Sequence, residues 1–299
     1  MERRLIPSWN ALLLRDLARE ERSEPFDIEV ELYLPDDLSR PVPGVVVSEG
    51  LGGLTDRRER GYGRKLAAEG YAVCVIDSFA SRGVEANGDL VRALTVTEAM
   101  MLGDAFAGLR YLASRPEVDS GRVGIIGFSY GGMIATLTAY EQLARLFLGE
   151  AGPRFATHLS YYGCSIPRMV DPRTTGAPLH LLLGGNDRNV SVSRTAKIAG
   201  DLRRGGSEVQ MSVFDGVYHQ WDGEDLKKRF VPFNLRRLHM SVTPDHEVKD
   251  ERTGAAMSGR PSRTAIIGMW TDPSGYSILR DEETTKRTEE ILLERLGAM

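Results

Sequence analysis

Gly127-Phe128-Ser129-Tyr130-Gly131 sets a hydroxyl nucleophile between two glycines in the spacing Gly-x-Ser-x-Gly. The apolar run Arg122-Val123-Gly124-Ile125-Ile126 precedes it and a segment with helical apolar spacing follows. That context is what a nucleophile elbow needs, a sharp strand-to-helix turn with the serine at its apex. Side chains at 127 or 131 would collide with neighbouring backbone, which explains the glycines. The free N–H groups and dipole of the following helix can stabilise negative charge developing on a substrate.

A serine hydroxyl is a weak nucleophile, so it needs a base, and the base needs a group to orient it. The chain order for an elbow of this kind is Ser, then Asp or Glu, then His, with the partners on loops after later strands. His219, His239 and His246 lie beyond both Ser129 and a following strand. His219 comes just after the strand-like Val209-Gln210-Met211-Ser212-Val213-Phe214, whereas His239 and His246 read as surface residues of a later segment. Asp187 follows Leu181-Leu182-Leu183-Gly184-Gly185-Asn186, a buried strand running into a glycine turn. Asp215 and Asp222 compete for the acid's place but stand too close to His219 to come from the preceding strand. An Asp after a strand is often only a turn former, so the joint order Ser129, Asp187, His219 carries the expectation. An oxyanion hole needs two converging N–H groups. One falls to Tyr130, the other to the glycine-rich loop Ser48-Glu49-Gly50-Leu51-Gly52-Gly53, whose glycines would otherwise serve only a strand-to-helix turn.

The elements that would position these groups read as an α/β alternation. Phe26-Asp27-Ile28-Glu29-Val30-Glu31-Leu32 alternates as a half-exposed strand near a sheet edge. Val45-Val46-Val47, Ala72-Val73-Cys74-Val75-Ile76 and Leu179-His180-Leu181-Leu182-Leu183 are continuous apolar runs, as in parallel strands covered on both faces. Between them, Met101, Ala105, Leu109 and Leu112 share one helical face, and Met133, Leu137, Tyr140 and Ala144 another. Ser191 can cap a helix that stops at Gly205-Gly206, and a last helix runs from about 282 to 296. An open, doubly wound, mostly parallel sheet in a single domain over 1–299 follows. Residues 223–280 break the rhythm: polar, with Pro232, Pro244, Pro261 and Pro273, this stretch reads as a long insert, either a lid or a surface excursion. Trp221, Phe230, Phe233, Met269 and Trp270 are apolar groups a lid could use, which makes Trp221 a candidate at the site.

Composition excludes several classes. A net charge of −4 provides no positive field for nucleic acid or acidic lipid. The two cysteines, Cys74 and Cys164, form no Cys-x-x-Cys pair, and the five histidines are scattered, so no metal site and no cofactor are expected. The apolar stretch Ala11-Leu12-Leu13-Leu14 is cut by Arg15 and Asp16, too short for a signal-peptide core. No run approaches a bilayer span, so no membrane association and a cytoplasmic location are expected.

The chain resembles the dienelactone hydrolase family of the α/β-hydrolase fold from about residue 28 to 222, rejoining it near 282. The resemblance is carried by Ser48-Glu49-Gly50-Leu51-Gly52, Gly70-Tyr71-Ala72-Val73 leading to Asp77, the stretch around Ser129, Tyr161-Tyr162-Gly163, Gly185-Asn186-Asp187 and Tyr218-His219. It implies hydrolysis of a small carboxylic ester or lactone through an acyl-enzyme, without cofactor, with Gly50 and Tyr130 as the oxyanion-hole residues. The founding enzymes use cysteine where this chain has Ser129, and there the glutamate matching Glu49 interacts with the thiol. They also grip a substrate carboxylate with an arginine, and Arg82 stands one position off that site. A serine peptidase, an acyltransferase using the same residues, and a non-catalytic binding protein are the alternatives; the last should have lost part of the Ser-Asp-His set.

Overall fold

Residues 1–18 and 25–299 are described by the computed structural model. In chain order the strands are β1 (Glu2–Trp9), β2 (Pro25–Tyr33), β3 (Val42–Ser48), β4 (Ala72–Asp77), β5 (Val118–Phe128), β6 (Thr157–Tyr161), β7 (Pro167–Met169), β8 (Leu179–Gly184) and β9 (Val209–Phe214). Four short strands follow, β10 (Arg229–Val231), β11 (Met240–Val242), β12 (Val248–Asp250) and β13 (Tyr276–Ile278). The helices are α1 (Leu14–Ala18), α2 (Glu59–Ala68), α3 (Asp89–Thr95), α4 (Glu98–Ala113), α5 (Tyr130–Leu137), α6 (Glu141–Leu148), α7 (Val192–Arg204), α8 (Arg260–Trp270) and α9 (Glu282–Gly297).

Eight strands form one sheet in the order β1-β2-β4-β3-β5-β6-β8-β9. β1 and β2 are antiparallel to their neighbours, and every pairing from β4 across to β9 is parallel. Alternate residues of the apolar runs face opposite sides of the sheet. Val46, Cys74 and Ile125 join a core under α4, α5 and α7, while Val45, Val47, Val73, Val75 and Ile126 join one under α2 and α9. Both faces are dry, which is why these strands carry no polar alternation. Each fully buried Val, Leu or Ile contributes roughly 1.5–3 kcal/mol of transfer free energy. The long helices start on side-chain caps: Thr97 accepts from Met100 N, Ser191 from Arg194 N and Asp281 from Thr284 N.

Three features depart from the sequence reading. The N-terminal stretch is an edge strand, β1, hidden because only Ile6 and Ser8 in it are buried. The face defined by Met133, Leu137, Tyr140 and Ala144 is buried, but it is split between two helices and the link that joins them. Thr138 Oγ1 turns back onto Ala135 O (2.9 Å), and Tyr140 is extended and bridges Thr174, so α5 stops and α6 restarts. Residues 223–280 are not an irregular loop either. β11 lies parallel to β7 and antiparallel to β12, β10 pairs with β13, and α8 buries Arg263, Ile266 and Ile267. Among the described residues no helix is long and apolar enough to cross a membrane.

Candidate active site

Ser129 sits at the junction of β5 and α5 with φ 55°, a left-handed value that a side-chain-bearing residue holds only under constraint. The constraint is visible in its neighbours. A Cβ on Gly127 would stand 2.0 Å from Gly131 O, and one on Gly131 would stand 2.2 Å from Ser48 O. Backbone bonds from Ser129 N to Tyr161 O (2.9 Å) and from Cys164 N to Ser129 O (3.1 Å) tie the apex to the end of β6.

Ser129 Oγ lies 2.8 Å from His219 Nε2, and His219 Nδ1 lies 2.6 Å from Asp187 Oδ2. The second Asp187 oxygen, Oδ1, accepts from Asn189 N (2.7 Å) and Val190 N (3.3 Å), so both carboxylate oxygens are engaged. With Asp187 at Nδ1, the neutral imidazole that fits carries its proton there and leaves Nε2 to accept from the serine. The loops that carry Asp187 and His219 are packed against each other: a Cβ on Gly184 would meet Val217 O at 2.6 Å. The His219 ring is held edge-on by Tyr162 (4.8 Å) and Tyr276 (5.0 Å). The group is nearly sealed, with Ser129 4% exposed, Asp187 5% and His219 0%.

Tyr130 opens α5, where its N–H has no intrahelical acceptor. Gly50 passes directly over the elbow, since a Cβ there would be 3.0 Å from Phe128 O and 3.4 Å from the Ser129 Cβ. Both residues named for the oxyanion hole therefore border Ser129.

Glu49 is fully buried, with Oε1 accepting from Ser78 N (2.6 Å) and Phe79 N (3.2 Å). Its Oε2 has no hydrogen-bond partner among the described residues. Burial first, then the charges of Asp77 and Glu59, push its carboxyl well above the usual range. Glu49 thus ties the loop after β3 to the loop after β4.

Two candidates are placed elsewhere. Arg82 forms a two-pronged ion pair with the buried Asp104 (2.7 and 3.0 Å) and donates to Asn10 Oδ1, Ser78 O and Trp9 O. Its guanidinium is used up inside the fold and leaves nothing for a substrate carboxylate. Trp221 is no lid group. It is fully buried, donates to Thr288 Oγ1 (3.3 Å) and packs edge-on against Tyr162 (4.7 Å), so it supports the histidine loop from behind.

The competitors for the acid are also accounted for. Asp215 is exposed, while Asp222 is buried and accepts from Tyr162 OH (2.5 Å) and Tyr62 OH (3.2 Å). His246 lies beside Gln142 and His239 beside Arg252, both outside the Ser129 cluster. Sequence reasoning missed Cys164, whose Sγ stands 4.0 Å from Ser129 Oγ, and Tyr276, which comes from β13. Neither carries a local signal; both are brought in by topology.

A mostly parallel sheet with helices on both faces and a serine elbow at the carboxyl end of a central strand define the α/β-hydrolase fold. The dienelactone hydrolase family profile matches residues 28–228, more than half of the chain, and the chain belongs to that family. It is 28% identical over 145 residues to the putative hydrolase YtaP of Bacillus subtilis, covering 42% of this chain and 47% of YtaP. It is 29% identical over 178 residues to human dipeptidyl peptidase 8, covering 52% of this chain and 19% of that protein. The chain thus spans less than half the length of either of these curated relatives. Among solved structures, a dienelactone hydrolase-like promiscuous phosphotriesterase from metagenomic libraries superposes with a TM-score of 0.54 at 21% identity, covering 74% of this chain and 84% of its own. The propionate-bound esterase Est2 of Thermogutta terrifontis does so with a TM-score of 0.51 at 15% identity, covering 65% and 80%. These likenesses concern the fold.

Proposed function

We propose that the chain is a serine hydrolase that cleaves small carboxylic esters or lactones through an acyl-enzyme. The observation that carries this reading is the unbroken line Asp187 Oδ2, His219, Ser129 Oγ, joined at 2.6 and 2.8 Å on a strained elbow. Ser129 Oγ attacks the carbonyl carbon as its proton passes to His219 Nε2, and Asp187 stabilises the imidazolium that forms. The N–H groups of Tyr130 and Gly50 receive the oxyanion, each such donor being worth about 3–4 kcal/mol in the transition state. His219 then protonates the departing alkoxide, or the ring oxygen of a lactone, and water repeats the sequence to release the acid.

The buried state of Ser129 and His219 adds a requirement for entry. Tyr276 covers His219 from the β10–β13 pair, and we assign that small unit the role of the lid.

Ser129→Ala should abolish hydrolysis of p-nitrophenyl esters and labelling by a fluorophosphonate, with an unchanged circular dichroism spectrum. Loss of a triad nucleophile costs up to ~10⁶ in kcat. Labelling that survives in the variant would assign the chemistry to another serine. The match to dipeptidyl peptidase 8 favours a second reading, a peptidase. Turnover of dipeptidyl anilides at rates comparable to esters would select it.

A further inference from the structure

The Tyr130 side chain runs into a largely buried ion pair that joins the 223–280 stretch to the core. Its hydroxyl donates to Glu98 Oε1 at the start of α4. Arg263 of α8 grips the same carboxylate from two nitrogens (2.6 and 3.2 Å) and also donates to Tyr130 OH (3.3 Å) and Ala93 O (2.7 Å). Tyr130 and Arg263 are each 1% exposed. Burial acts to raise the Glu98 carboxyl, but Arg263 and the Tyr130 hydroxyl outweigh it and hold Glu98 below its usual range, ionised. Burial, then the Glu98 charge, pushes the Tyr130 phenol well up, so it stays protonated and donates.

An oxyanion hole acts only if its donors are fixed before charge develops. Tyr130 is the first residue of an 8-residue helix that starts on a strained Ser129, so helix length alone does little to hold it. The elbow's backbone contacts hold it from the Ser129 side, and its own side chain adds a second anchor at the far end. We propose that Arg263 is a positioning residue for the oxyanion hole, acting through Glu98 and the Tyr130 hydroxyl to fix the Tyr130 N–H. The 223–280 stretch would then contribute to turnover from a helix that does not touch the substrate. The inference rests on the hydrolase reading above.

The test compares wild type with Arg263→Met, Arg263→Lys and Tyr130→Phe, which keeps the N–H and removes only the hydroxyl. Each is assayed on a p-nitrophenyl ester and on its thiono analogue, whose sulfur is a poorer acceptor and so reports on the hole. Fluorophosphonate titration normalises rates to intact sites, and hydrogen exchange is followed over residues 128–137. Arg263→Met and Tyr130→Phe should lower kcat by about 10- to 100-fold, up to the loss of a full donor, with KM within threefold. The oxo-over-thiono preference should shrink in parallel, amides of 128–137 should exchange faster, and Arg263→Lys should recover much of the rate. If Arg263→Met does not fold, Tyr130→Phe carries the test alone. An unchanged thiono preference, or a rate loss equal to the loss of titratable sites, would overturn the proposal. Wild type that neither labels nor hydrolyses would instead sink the hydrolase reading, and unchanged exchange in the variants would still refute the tether.

Discussion

Arg82 and Glu49 show how far a side chain's surroundings decide its work. The guanidinium of Arg82 and the carboxylate of Asp104 are both buried, and breaking such a pair from one side strands the other charge. Arg82→Met should therefore destabilise the protein by about 3–5 kcal/mol in urea unfolding. KM for anionic and neutral esters should move together in the folded variant; a selective rise for anionic esters would restore Arg82 to the substrate site. Glu49 is the opposite case, a carboxyl whose ionised form the fold disfavours. The unfolded chain releases this proton near pH ~4.3 while the folded chain keeps it, so wild-type stability falls as pH rises through that point towards the raised folded value. Glu49→Gln cannot ionise, and its Tm relative to wild type should climb between pH 4.5 and 8. A difference that stays flat over that range would mean Glu49 is ionised in the folded protein.

Elements differ in how strictly their backbone dictates residue type. The elbow leaves no room at all: the Cβ of Gly131→Ala would meet Ser48 O at 2.2 Å and Glu49 O at 2.5 Å, backbone atoms on a central strand and its loop. That variant should fail to accumulate in soluble form. Gly268, on the exposed face of α8, has nothing within 4 Å of where a methyl would stand, and its helical position prefers alanine. Gly268→Ala should raise Tm by ~2 °C, following a gain of about 0.5–1 kcal/mol; a lower Tm would mean that α8 is not a helix there. The same contrast explains what was legible in the sequence. Dry strands such as β3, β4 and β8 and the elbow glycines are marked in their own residues, and so is the order Ser129, Asp187, His219. β1 is not, because an edge strand with a solvent-facing side tolerates Glu2, Arg3 and Arg4. The break between α5 and α6 is set by Thr138 and by pairing with Thr174, a partner that local spacing does not reveal. The role of Arg82 is hidden for a like reason: its partner Asp104 lies on α4, and nothing in the residues around either one announces the pair.

Across the whole molecule, the 223–280 stretch divides into two unequal parts. Leu235, Leu238, Met240, Val242, Met257, Ile266 and Ile267 belong to the main core, and β11 extends β7, so this part cannot swing without unpacking the protein. The β10–β13 pair has a satellite cluster of Val231, Tyr276 and Ile278, with Phe233 against it and Phe230 60% exposed, and a bridge from Ile278 to His219 joins it to the histidine loop. Units with few buried contacts open at the lowest free energy. They are the natural place for a gate over a site where His219 has no exposure. Excising residues 226–278 would remove core side chains along with the proposed gate. Tyr276→Ala removes the ring that covers His219 and leaves β11, β12 and α8 in place. The rate of labelling by a bulky fluorophosphonate should rise by about tenfold relative to a small one, a change of roughly 1.4 kcal/mol in the cost of access. Hydrogen exchange should also show residues 229–231 and 274–278 opening faster than 240–250 in wild type. If the two phosphonates keep their relative rates in Tyr276→Ala, substrate enters by another route and the β10–β13 pair is not the gate.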